Sequence, residues 1–376
     1  MLPVFSADSN GNLCVKPVVQ EVFEQLFNIG IREFCFIVGR EKRAIQDHFK
    51  PDYHLVDRLN GLNRNGQALQ MDRFFAEIEE STIVWLEQPR AEGFGRAVLL
   101  AERFAEGESF FVNAGDSYVT SDLYDIPKML AEMHQRSQAD ATLTLQEVED
   151  ASQYGVAETL EVGDVVSVKR VVEKPTNPVS KLAIVALYAF TPALFAALEE
   201  TRPGKGGEVQ LTDAIQTLID TQHRVQAIRL RSDDIHVDIG TPENYWKALR
   251  LSHGIASYRL ARIETGLPVR ESAGYGLSNM TEAASREVPG HACEVCMSTL
   301  LGKDDILCTD CSRAFTLVLE LLRSHPDLDM HHLLRIRDVF QWRLKRKGLP
   351  PLQATRKEAE GSSVVIAHIP ESTQPS

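Results

Sequence analysis

The chain has 376 residues, 43% hydrophobic and 25% charged, enough for two or three domains of about 100–200 residues each without disulfide staples. Its longest apolar run, Leu182 to Phe190, is far shorter than the roughly 18 residues that cross a bilayer, and no basic-then-apolar leader is visible, so neither a secreted nor a membrane-spanning protein is expected. The net charge of −13 lies in residues 1–285, with +1 over 286–350 and −1 over 351–376; such an acidic body argues against nucleic acid as a partner, but not against a nucleotide bridged by Mg²⁺.

In chain order, a turn-like Asp8-Ser9-Asn10-Gly11 precedes an amphipathic helix over Val15–Ile31, with Pro17 in its first turn and Val18, Val22, Leu26 and Ile29 on one face. Phe34–Val38 reads as a buried strand, Arg40–Phe49 as a helix, and Phe110–Val112 as a second buried strand. A helix over Ile126–Arg136 and a strand over Ala141–Val148 continue the alternation. The pattern predicts an α/β fold with helices on both faces of the sheet. No strand is expected before the first helix, although open α/β sheets place their first strand centrally, with a phosphate-binding loop after it.

The body is expected to span 1–250, followed by a connector over 251–285, a small module over 286–350 and a disordered, Pro/Ser/Thr/Glu-rich tail over 351–376. Four of the six cysteines form two pairs in the module, Cys293-x-x-Cys296 and Cys308-x-x-Cys311. Each pair on a tight turn can donate two thiolates to tetrahedral Zn²⁺, so a zinc-ribbon-like module with two helices is expected, in a reducing, cytoplasmic compartment. Its second helix, His331–Lys347, carries a basic run that suits docking on a protein partner or on the body itself better than nucleic acid.

Two aspartates close apparent strands: Asp116 after Phe110–Gly115, and Asp238 after Ile235-His236-Val237. Strand ends are where α/β sheets hold ligands, and paired carboxylates suit Mg²⁺; each alone equally fits a turn or a cap. Glu173-Lys174 closes the run Val165–Val172, and strand alternation sends these neighbours to opposite faces, so no internal ion pair is expected. A carboxylate there can take sugar hydroxyls and an ammonium a phosphate, or both simply mark a solvated strand end. Gln88-Pro89 and Gly93-Phe94-Gly95-Arg96-Ala97 form a glycine-bearing loop entering a helix; the glycines allow a flat ligand close to the backbone, and an amide can read a base edge. Thr212 or Asp213, in Glu208–Asp213, is a candidate cap for the helix that follows.

In order and spacing these stretches, with Lys16-Pro17, Tyr154-Gly155-Val156, Leu182–Val185 and Asp238–Pro242, resemble the sugar-phosphate nucleotidyltransferases, most closely the UTP–glucose-1-phosphate uridylyltransferases, over about residues 1–250. The resemblance implies a Rossmann-like (GT-A-like) mixed sheet, with UTP and glucose 1-phosphate as substrates. It further implies that Gln88 and Gly93 contact uracil, Gly155 and Glu173 the glucose, and Lys174 the sugar phosphate, while Asp116 and Asp238 hold Mg²⁺. Asp116, Lys174 and Asp238 would then be the catalytic set. Thymidylyltransferase or another hexose-1-phosphate transferase is the first alternative, since one methyl discriminates by only about 1–3 kcal/mol. A non-catalytic sugar-nucleotide-binding protein is the second, and a homo-oligomer is open.

Three departures from the family pattern stand out. Met1-Leu2-Pro3-Val4 resembles the end of the family's P-K-E-M-L-P segment, so the G-x-G-T-R loop and its strand are expected upstream of an internal Met1, which would leave the sheet with an open central edge. Ala186 stands where many members have glycine near the sugar, and Ser6–Leu13 resembles a short hairpin insertion turned at Asn10-Gly11.

Overall fold

The computed structural model describes residues 1–7, 13–40, 42–121, 125–162, 165–231, 234–265 and 363–369. These belong to one compact unit, Met1–Gly274 with Glu360–Ser376. The second unit, Tyr275–Ala359, lies outside the described residues, and with it the four paired cysteines and the basic helix expected there. No helix among the described residues is long and apolar enough to cross a membrane.

The chain opens with strands, not a helix: β1 (Pro3–Ala7) pairs antiparallel with β2 (Leu13–Pro17), Ser6 opposite Cys14. The expected hairpin is there, with its turn outside the described residues, and it displaces the first helix. Pro17, at ψ 141°, is extended and ends β2, so α1 (Val18–Asn28) starts three residues later than the apolar periodicity suggests. β3 (Glu33–Gly39), α2 (Arg43–His48), α3 (Tyr53–Gly61), α4 (Asn65–Glu79) and β4 (Thr82–Gln88) follow. Phe23 of α1 joins them, its ring 4.7 Å from Phe34, 5.3 Å from Phe49 and 6.0 Å from Phe74.

The middle of the chain gives α5 (Phe94–Leu99), α6 (Glu102–Ala105), β5 (Phe110–Ala114), β6 (Ser117–Thr120), α7 (Ile126–Ser137) and β7 (Ala141–Glu147). The hairpin of β8 (Gly155–Val162) and β9 (Val165–Glu173) comes next, then β10 (Leu182–Phe190), α8 (Ala193–Glu200), α9 (Leu211–Asp220) and β11 (Val225–Arg229). β12 (Ile235–Asp238), α10 (Pro242–Thr265) and β13 (Val364–His368) complete it; α10 runs straight through the boundary expected at residue 250.

Nine strands form one mixed sheet in the order β4-β3-β13-β5-β10-β7-β11-β9-β8, parallel between β3 and β4 and between β11 and β7. Alternation along β7 shows why helices cover both faces. Ala141, Leu143 and Leu145 enter the core with Leu194 and Leu198 of α8 and Leu211 and Ile215 of α9. Thr142 points the other way, where its hydroxyl meets His134 Nδ1 of α7 at 3.0 Å.

The open central edge expected from the sequence is absent. β13 lies between β3 and β5, antiparallel to both, with Ile366 opposite Cys35 on one side and Val112 on the other. Val364 to Ala367 are fully buried. Tail composition averages this short Val-Val-Ile-Ala run away, yet its β-branched residues suit a strand covered on both faces. His368 pins the far end: Nδ1 lies 2.7 Å from Glu33 Oε2 and Nε2 2.8 Å from the Phe104 carbonyl.

Ile366→Ala should therefore destabilise the protein by about 2–5 kcal/mol. An unchanged urea midpoint would place residues 364–368 outside the core. Burial pushes His134 down to about 4 from 6.5, the nearby Asp140 only partly opposing it. A neutral buried histidine adds stability that is complete above the unfolded value and is lost as pH falls from about 6.5 towards 4, by about 3 kcal/mol. Urea titrations of wild type and His134→Gln across that window should diverge by this slope; parallel curves would contradict it.

Candidate active site

The two aspartates meet through a short ribbon rather than through the main sheet. After β5 the chain turns at Gly115-Asp116 into β6, which pairs antiparallel with β12 so that Ser117 stands opposite Asp238. The Ile239 amide donates to the Asp116 carbonyl at 3.1 Å, closing the ribbon end. Asp238 is aimed by its own turn: Oδ1 accepts from the Gly240 amide at 2.8 Å and Oδ2 from Asn244 Nδ2 at 3.1 Å. Behind it, His236 spans Ser117 Oγ at 2.9 Å and Gln146 Oε1 at 3.2 Å, tying the ribbon to β7. Burial holds that imidazole down to about 4, and a neutral ring, one donor and one acceptor, matches those two partners.

A second cluster forms where the β8–β9 hairpin ends. Gly155 and Glu173 are register partners, and Thr212 of α9 donates its hydroxyl to Glu173 Oε2 at 2.7 Å. A Cβ on Gly155 would stand 2.9 Å from that hydroxyl and 3.2 Å from the carboxylate, so only glycine fits without displacing them. Gln210 occupies the cap position of α9, so neither Thr212 nor Asp213 caps the helix. Burial and the facing Glu173 push the Asp213 carboxyl up.

Lys174 corrects the expectation of opposite faces. Alternation holds only inside the strand, and β9 ends at Glu173; Lys174 turns left-handed, at φ 40°, a conformation unusual for a side-chain-bearing residue. Its amide donates to the Tyr154 carbonyl at 3.0 Å, and its ammonium lies 3.6 Å from Glu173 Oε1. The half-buried Tyr154 hydroxyl is pushed up by burial and then by the carboxylates of Asp238 and Asp150, so this residue connects the second cluster electrostatically to the ribbon. Ala186 sits where the pairing of β10 with β7 shifts register, between Val185 and Tyr188.

The third cluster is the loop after β4. Gln88 is buried, its Nε2 donating to the Gly93 carbonyl at 3.2 Å. Gly93, at φ 102°, leaves no room for a side chain, since a Cβ would fall 2.6 Å from the Val209 carbonyl. The loop is laced to the segment before α9: Val209 donates to the Glu92 carbonyl and Gly95 to that of Val209, both at 2.9 Å. Residues 208–212 thus link the Gln88–Gly93 loop to Glu173, and Tyr154 links Lys174 to Asp238.

All the candidate residues of the main body fall in this linked set. The sequence gives no role to Thr212 beyond capping and none to Tyr154, although both lie in the family-like segments Glu208–Asp213 and Tyr154–Val156; only the tertiary contacts single them out. Among the described residues no group of three or more His, Cys, Asp or Glu side chains could hold a metal. Two hard carboxylates fit Mg²⁺ better than Zn²⁺, because Mg²⁺ keeps waters and takes phosphate oxygens to complete its shell.

The model for the family described as Nucleotidyl transferase matches residues 12–253. UTP–glucose-1-phosphate uridylyltransferase 2 of Streptococcus pyogenes is 34% identical over 216 residues, 55% of this chain and 71% of that protein. UTP–glucose-1-phosphate uridylyltransferase 1 of the same species is 34% identical over 244 residues, 62% of this chain and 77% of that one. A solved UDP-glucose pyrophosphorylase complexed with UDP-glucose superposes with a TM-score of 0.56 at 29% identity, covering 65% of this chain and 88% of that one. With more than half its length matched, the chain belongs to the nucleotidyl transferase family.

Proposed function

We propose that this chain transfers a uridylyl group from UTP to glucose 1-phosphate, giving UDP-glucose and pyrophosphate. The observation that carries the reading is the β6–β12 ribbon, which brings the Asp116 turn and Asp238 to one end, with Tyr154 between Asp238 and the cluster containing Glu173 and Lys174. The Streptococcus pyogenes relatives, both UTP–glucose-1-phosphate uridylyltransferases, support it.

The chemistry asks for positioning more than for proton transfer. A phosphate oxygen of glucose 1-phosphate, already anionic, attacks the α-phosphorus of UTP in line; the new P–O bond forms as the α–β bond breaks and pyrophosphate leaves with its electrons. No general base is needed. Glu173, held by Thr212, accepts hydrogen bonds from the sugar hydroxyls, and the missing side chain at Gly155 leaves room for that Glu173–Thr212 pair beside the Gly155 backbone, which contacts the sugar. Lys174 neutralises the sugar phosphate. The Gln88 amide and the Gly93 backbone take the uracil edge. Asp116 and Asp238 would hold Mg²⁺, which supplies charge neutralisation along the phosphates when bound.

For the cysteines outside the described residues, we assign one structural Zn²⁺ to Cys293, Cys296, Cys308 and Cys311, on their spacing. The module they form is given a docking role, towards a protein partner or the body, rather than a nucleic-acid one.

Pyrophosphate release with Mg²⁺ and glucose 1-phosphate should be faster with UTP than with dTTP; the reverse order would make the enzyme a thymidylyltransferase. Asp116→Ala and Asp238→Ala should each lower turnover by at least about 100-fold. Near-normal rates would remove both from the metal site. Lys174→Ala should raise KM for glucose 1-phosphate by about 10- to 100-fold, leaving KM for UTP nearly unchanged. Elemental analysis should find about one zinc per chain, lost when Cys293 and Cys296 are replaced by serine; metal-free protein would end that assignment.

A further inference from the structure

Ser363 lies far outside the matched family region of 12–253, yet it abuts the turn that carries Asp116. It immediately precedes β13, and its carbonyl accepts the Gly115 amide at 2.6 Å. Its side chain is buried over the same glycine. A Cβ on Gly115 would fall 2.2 Å from Ser363 Oγ, 3.1 Å from its carbonyl oxygen and 3.2 Å from its Cβ. Gly115 does not have the positive φ that favours glycine, so its lack of a side chain answers a steric demand, and the three atoms nearest to its missing Cβ all belong to Ser363. On the other side of the turn, the Asp116 carbonyl is held by the Ile239 amide.

We propose that Ser363 is a positioning residue for Asp116. The Gly115-Asp116 turn is clamped between β12 and the entry to β13, so the placement of the carboxylate depends on a strand from beyond the family domain. This inference rests on the reading of Asp116 as a metal ligand in the uridylyl transfer proposed above. The clamp has two parts: a short backbone bond that any residue at 363 can make, and a close contact that only a glycine at 115 allows, the part that depends on residue type.

A double-mutant cycle in the full-length chain tests it, with kcat, KM for UTP, Mg²⁺ half-saturation and amide exchange over residues 110–116 measured for each variant. Gly115→Ala forces its new methyl against Ser363 and should lower kcat by about 100-fold by displacing the turn. It should also raise the Mg²⁺ half-saturation and speed exchange at residue 115. Ser363→Gly loosens the strand entry and should cost about 2- to 5-fold. Combining them removes the Oγ and Cβ that the methyl meets, so the double variant should recover at least about 10-fold of the Gly115→Ala loss, with the Mg²⁺ response and amide protection restored together.

A double variant as impaired as Gly115→Ala, or a harmless Gly115→Ala, would overturn the proposal. The exchange measurement needs no substrate, so it tests the clamp even if wild type releases no pyrophosphate. That latter outcome would count against the proposed reaction and not against the contact.

Discussion

The two hydrogen-bond ladders along Val364–His368 are the constraint on which the rest of the molecule depends. β3 and β5 run parallel, and each would otherwise present a row of buried, unpaired amides and carbonyls to the other. Such groups are nearly always satisfied in native proteins, and leaving a run of them dry costs more than a typical domain's net stability. One inserted strand satisfies both rows, and its apolar side chains fill the space above and below with residues that are fully buried. The sheet is therefore continuous from the Gln88 end of β4 to the β8–β9 hairpin, and the clusters at its loop ends share one rigid base.

On that base the site is a chain of short contacts rather than a single pocket wall. The Gln88–Gly93 loop is laced to residues 208–210, Thr212 two residues on holds Glu173, Lys174 is bonded through its amide to Tyr154, and Tyr154 senses Asp238. The glycines in this chain of contacts mark close approaches: a side chain at 93, 115 or 155 would strike a neighbouring atom within 3 Å. Lys174 shows the complementary device. Its left-handed backbone has a conformational cost, and it brings two consecutive charged side chains to one side, which an extended strand cannot do.

The acidic character of the body fits this arrangement. A net charge of −13 would repel a nucleotide triphosphate at long range, and screening confines that repulsion to about 8 Å at physiological ionic strength. Within that distance the local field is set by the groups of the site: an ammonium at 174, oriented amides, and two carboxylates suited to a divalent cation. Affinity for phosphates in such a site comes from local geometry, not from the sign of the whole protein.

By itself the sequence determined the α/β class and the elements β3, α2, β5, α7 and β7, because apolar periodicity is a local property, while α3, α4, β4 and β6 between them went unread; the candidate residues came from short collinear motifs. The sequence's two Cys-x-x-Cys pairs fall outside the described residues. It missed the opening hairpin's effect on the first helix, since Pro17 is equally suited to end a strand or begin a helix. Tertiary structure alone decided that the Asp116 turn and Asp238 lie at one end of a two-stranded ribbon, that Thr212 serves Glu173 instead of a helix end, and that residues 364–368 complete the sheet. Each of these joins positions far apart in the chain. Pairing of that kind is selected by which backbone edges and side chains remain unsatisfied once the local elements have formed, information that no single stretch of residues carries.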